Sequence, residues 1–207
     1  MSDCGCEVEI SSDEERRVLV PLLSINLSFF LIEAVAGIIA ESAALLADSL
    51  DMLADAFVYG IAFYAVGKVA SKKITAAYLS GVFQVFLGLL IVAEILRKIV
   101  FGSEPESLLM LIFGALALIA NCICLVLISK HKHGEVHMRA SWIFSKNDVI
   151  ANIGILIGAA LVYTTGSRFP DLVIGVLISL VVIRGGLLIL KEAKQERVAL
   201  SQPASNN

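Results

Sequence analysis

Charge is what this chain is shortest of. Only 17% of its 207 residues are Asp, Glu, Lys or Arg, where a soluble domain carries about a quarter. With 58% hydrophobic residues, that scarcity excludes an ordinary water-soluble globule and points to an integral membrane protein. A basic excess is also missing: the formal net charge is −3, so nothing draws the chain to nucleic acid. Cysteine is sparse, and Cys4, Cys6, Cys122 and Cys124 form two close pairs rather than a disulfide framework. Reduced thiols facing a cytosol are the simpler expectation. The opening MSDCGCEVEISSDEERR is polar and acidic and lacks a cleavable signal pattern. No His cluster falls within an apolar run, no Ser-His-Asp set shares one depth, and there is no phosphate loop, so the expectation is not an enzyme.

Long apolar runs are what the chain does have. A membrane-spanning helix needs roughly 20 apolar residues. Six stretches qualify: 18–40, 43–67, 75–96, 107–129, 141–164 and 171–190, separated by short loops. The expectation is an all-α membrane protein of six transmembrane helices. Its parts are a polar tail over 1–17, a transport domain over 18–192 and a polar tail over 193–207. Lys and Arg set the orientation. With the N-terminus cytoplasmic, the cytoplasmic side holds eleven of them and the other side only Arg97, Lys98 and Arg168. Both termini are therefore expected in the cytoplasm.

The second run, ALLADSLDMLADAFVYGIAFYAV, carries Asp48, Asp51 and Asp55. At spacings of three and four they line one helix face. An ionised carboxylate near the bilayer centre costs at least ~2.5 kcal/mol, and intramembrane acids are functional by default. The fifth run carries Asp148 with Asn152 one turn on, and Ser145 and Asn147 close by. At 1.5 Å rise per residue, Asp51 and Asp148 reach the middle third of the bilayer from opposite sides. Two helices with acids at matching depth can close one oxygen-rich cation site.

SAALLADSLDMLADAF, together with SKNDVIANIG and, in the first run, NLSFFLIEAVAG, resembles the cation diffusion facilitator family over roughly residues 18–191. The resemblance implies a six-span, usually dimeric exporter of divalent transition metals driven by proton antiport. It implies Asp51, Asp55 and Asp148 as metal ligands, with Asn152 at the family's Asn position and Asn26 and Glu33 at family-like positions. The family's fifth-span His falls on Phe144, which cannot ligate. Water, Asn147, Ser145, Asn152 or Asp48 could fill the gap. Many members continue into a cytoplasmic C-terminal metal-binding domain, and the chain is expected to be a short member of membrane domain alone.

An oxygen-rich set weakens the preference for zinc and suits iron or manganese too, but affinity order at a fixed site favours zinc over manganese, so zinc ranks first as cargo with cadmium or cobalt close. No resident cofactor is expected; the metal is cargo. Protons compete for the same carboxylates, which makes metal one way and protons the other a consequence of ligand chemistry. His131, His133 and His137 in the loop KHKHGEVHMR, and Cys4 and Cys6 in the tail, are weak capture candidates, as readily a solvated basic loop and idle thiols. Asn26 and Glu33 read as a packing or proton-relay pair. Cys122 and Cys124, two apart, should point to different helix faces. Expected partners are divalent metal ions, protons, the lipid bilayer of a bacterial inner membrane and a second copy in a homodimer. The competing reading is a non-transporting metal sensor or partner protein of the same fold.

Overall fold

The computed structural model describes residues 6–65, 68–130 and 136–201, except for the side chains of residues 6–15, 65, 70, 73, 136–141, 143, 144, 199 and 201. Six helices account for nearly all of it: α1 (Cys6–Ile39), α2 (Ala43–Ala65), α3 (Ala70–Phe101), α4 (Ser107–Ser129), α5 (Val136–Thr165) and α6 (Phe169–Ser201). Among the described residues there is no strand. The protein is an all-α, multi-pass integral membrane protein. Several helices overrun the apolar stretches, most of all α1 and α6, which continue into the polar ends of the sequence. Lys, Arg, Glu and Gln are good helix formers, so nothing breaks the helix where the apolar run stops. Pro21 lies inside α1, a position a membrane helix tolerates when neighbours satisfy the freed carbonyl.

Five of the helices are long and apolar enough to cross a bilayer on composition alone. The exception is α2, and its acids explain why. Any 18-residue window within its 23 residues contains Asp48, Asp51 and Asp55. Packing resolves the conflict, because α2 alone touches all five other helices and sits at the centre of the bundle. Ala43, Ala44, Leu45, Ala47, Ala54 and Ala56 are all buried. The outer helices turn Leu31, Val35, Leu89, Ile119 and Leu180 outward instead, the inverse of a soluble surface and the arrangement lipid requires.

α3 and α6 approach most closely through glycine. A Cβ on Gly186 would lie 2.9 Å from the Gly81 carbonyl oxygen and 2.9 Å from the Val85 amide nitrogen. Small residues allow this backbone contact in membranes, where van der Waals packing holds helices together.

The α1–α2 turn is equally specific. The Ser42 amide donates to the Gly37 carbonyl (3.0 Å) and the Glu41 amide to that of Ile38 (3.2 Å). Glu41 takes φ 47°. This is a Schellman ending with Glu in the left-handed position where glycine is usual. Ser42 then caps α2, its Oγ accepting from the Leu45 amide at 3.1 Å.

Two apolar clusters divide the bundle along its length. One, near the α1–α2 turn, joins Ala40, Leu45, Ile91, Met110, Ile155 and Val182. The other, toward the chain ends, joins Leu19, Leu22, Tyr59, Cys124 and Ile128. Between them, α1, α2, α4 and α5 each contribute buried polar side chains: Asn26 and Glu33, the three Asp of α2, Asn121, then Asp148 and Asn152.

Candidate metal centre

That polar layer brings together the acids expected from sequence. Asp48, Asp51, Asp55 and Asp148 retain 1%, 6%, 4% and 8% exposure, and Asn152 none. Asp55 and Asp148 lie within hydrogen-bonding reach of each other across the α2–α5 contact. Asp51 is close enough to Asp55 and Asp148 to be repelled by both. The Tyr59 hydroxyl ties this group to both helices, donating to Asp55 Oδ2 at 3.3 Å and lying 3.2 Å from Ser145 Oγ.

One turn away, Asn152 Nδ2 donates to Asp48 Oδ1 at 3.2 Å and to its own helix at the Asp148 carbonyl, 2.9 Å away. Glu33 of α1, wholly buried, comes within hydrogen-bonding reach of Asp48. Asn26 does not join it. Its Nδ2 donates to the Leu22 carbonyl at 2.9 Å and to Cys124 Sγ at 3.7 Å. The expected Asn26–Glu33 pair is thus corrected. Seven residues apart, the two share a face but lie two turns from each other, about 10 Å along the axis.

Electrostatics dominates the arrangement. Among the described residues the ion pairs join only Glu94 to Arg97 and Lys98, so no Lys or Arg pairs with any acid of the polar layer. Buried carboxylates without cationic partners must take up protons or a cation. Among the described residues, no three His, Cys, Asp or Glu side chains converge closely enough to hold an ion.

The remaining candidates scatter. Asn147 is half-buried. Cys122 is exposed and Cys124 buried, on different faces as their spacing predicts. His131, His133 and Cys4 lie outside the described residues, as do the side chains of Cys6, His137 and Phe144. Sequence reading missed Tyr59, although four residues past Asp55 it continues the same stripe.

Residues 19–196 match the sequence profile of the cation efflux transmembrane domain. The chain belongs to the cation diffusion facilitator family. It is 28% identical over 199 residues to a protein named zinc transporter ZitB from Yersinia pseudotuberculosis, with 90% of this chain and 64% of that relative covered. It is 27% identical over 189 residues to the metal cation efflux system protein CzcD of Cupriavidus metallidurans, covering 86% of this chain and 60% of CzcD. It is 24% identical over 193 residues to a cadmium, cobalt and zinc/H(+)-K(+) antiporter of Bacillus velezensis, covering 86% and 61% respectively. This cation diffusion facilitator therefore spans less than two-thirds of the length of these relatives. The match extends over all six helices and includes the whole polar layer.

Proposed function

We propose that this protein exports a divalent transition-metal cation through the membrane, in exchange for protons, by alternating access between α2 and α5. The single observation that carries the reading is the Asp55–Asp148 contact, two buried acids from different helices with no basic partner among the described residues. A divalent cation placed there neutralises both charges; protons do the same when the metal leaves. The names of the relatives support zinc first, with cadmium and cobalt close. Asp51, Asp55 and Asp148 are the proposed ligands, with Asp48, Asn147 and Asn152 secondary. The excess of Lys and Arg at one side supports cytoplasmic termini, and the bacterial relatives support an inner-membrane location. A homodimer is the assembly expected of the family.

Growth of a metal-sensitive host tests the reading. Expression should confer resistance, and Asp51→Ala and Asp148→Ala should each abolish it at equal protein level. Resistance that both variants keep would refute it. A metal-sensing or partner protein is the second reading, favoured by Phe144 at a ligand position and by the lack, among the described residues, of three converging His, Cys, Asp or Glu side chains. It predicts metal binding without uptake into proteoliposomes.

A further inference from the structure

We propose that Glu33, Asp48 and Asn152 form a second cation position, one helical turn from the Asp51–Asp55–Asp148 group and nearer the α1–α2 turn. It rests on the transport reading only for the class of ion, a divalent cation that accepts oxygen ligands. The position draws on three helices, α1, α2 and α5.

Unpartnered oxygens define it. Glu33 and Asn152 are fully buried and Asp48 retains 1% exposure. Among the described residues, Glu33 Oε1, Glu33 Oε2, Asp48 Oδ2 and Asn152 Oδ1 all lack a hydrogen-bond donor. Glu33 and Asp48 adjoin, yet two carboxylates cannot donate to each other. The Asn152 amide is held against Asp48 by its Nδ2–H, which leaves Oδ1 as a free acceptor at the same locus. Buried acceptors left bare are costly.

Counting distinguishes the remedies. One proton shared between Glu33 and Asp48 pairs a single donor with a single acceptor, and leaves the Asn152 oxygen and one carboxylate oxygen bare. One cation seated between Glu33 and Asp48 meets both carboxylates at once, and the Asn152 oxygen sits on the same amide group that already bonds Asp48. Two carboxylates and a carboxamide form a hard, oxygen-only set suited to a divalent ion. Two positions stacked along α2 would repel each other's ions, so an ion arriving at the first favours departure from the second.

Equilibrium dialysis of the full chain in lipid nanodiscs, with Zn²⁺ as probe, tests this. Glu33→Gln should bind one ion fewer per chain than the native protein, and Asn152→Asp should tighten the position that Glu33→Gln removes. Asp148→Asn should weaken the other position instead. Equal stoichiometry and affinity in native protein and a folded Glu33→Gln would overturn the proposal. If Glu33→Gln does not fold, Cd²⁺ density in the native protein decides. Density over Glu33 and Asp48 supports the position; density confined to Asp51, Asp55 and Asp148 overturns it. A protonated-carboxyl infrared band that Glu33→Asp shifts and that survives saturating Zn²⁺ would also overturn it, assigning the contact to a shared proton. Failure of transport with this position still occupied would count against the export reading alone.

Discussion

Ser42 donates its hydroxyl to Asp171 across 2.6 Å, joining the turn before α2 to the first turn of α6. Two backbone amides complete the clasp: that of Ala43 donates to Asp171 Oδ2 at 2.7 Å and that of Ala44 to Oδ1, the oxygen Ser42 also reaches, at 3.0 Å. A carboxylate thus sits on the free amides of a helix N-terminus, where the helix dipole also favours negative charge. Gly175, one turn along α6, allows the approach, since a Cβ there would lie 3.3 Å from the Ala43 backbone.

Asp171→Ala should therefore destabilise the bundle by about 1–3 kcal/mol, the cost of leaving buried donors bare. Thermal unfolding in detergent would register it as a lower midpoint. An unchanged midpoint would mean that the clasp contributes nothing to stability.

Gly186→Ala should also destabilise, for a steric reason. The new methyl would press on Gly81 and Val85 at 2.9 Å, and overpacking of this kind costs about 1–3 kcal/mol. The polar layer lies away from this contact, so the number of metal ions bound per folded chain should not change. The two effects separate in a melt followed by dialysis.

Tyr59→Phe removes a hydroxyl and little else. Loss of its bonds to Asp55 and Ser145 should cost about 0.5–1.5 kcal/mol of stability. The proposed metal affinity should fall as well, because Asp55 loses the contact that holds it toward α5. Titration with Zn²⁺ in matched detergent would reveal both, and an affinity equal to that of the native protein would dissociate Tyr59 from the site.

Acidity should oppose the metal. Protons and a cation compete for the same carboxylate oxygens, so each ion bound displaces protons and each proton taken up weakens the ion. Apparent affinity should rise with pH and fall on acidification. Calorimetric titration in buffers of differing ionisation enthalpy checks the sign, because the observed heat should vary with the buffer. Heat independent of the buffer would leave no proton exchange to drive antiport.

Much of this architecture was legible before any coordinates. Apolar length marks out six helices, and the spacing of Asp48, Asp51 and Asp55 puts them on one stripe, at a depth that matches Asp148 and Asn152. What sequence could not supply was lateral placement. Helical periodicity says which residues share a face, but not which neighbour that face meets. Glu33 therefore read as a partner of Asn26 on its own helix, whereas it meets Asp48 on the next one. Asp171 went unnoticed for the same reason: an acid at the start of the sixth span looks like an ordinary interfacial charge until the α2 terminus lies against it. Hydropathy marks where lipid stops and not where a helix ends, so α1 and α6 continue past the apolar runs.

The turn around Glu41 has a mechanical consequence. It closes α1 onto α2 within a few residues, through two main-chain bonds and a backbone angle that resists extension. Any tilt of α2 away from α5 must carry the adjoining end of α1 with it. Glu33 and Asp48 then keep their spacing as a fixed gauge, while any widening between Asp55 and Asp148 must break the Tyr59–Ser145 and Asp48–Asn152 contacts that bridge α2 and α5.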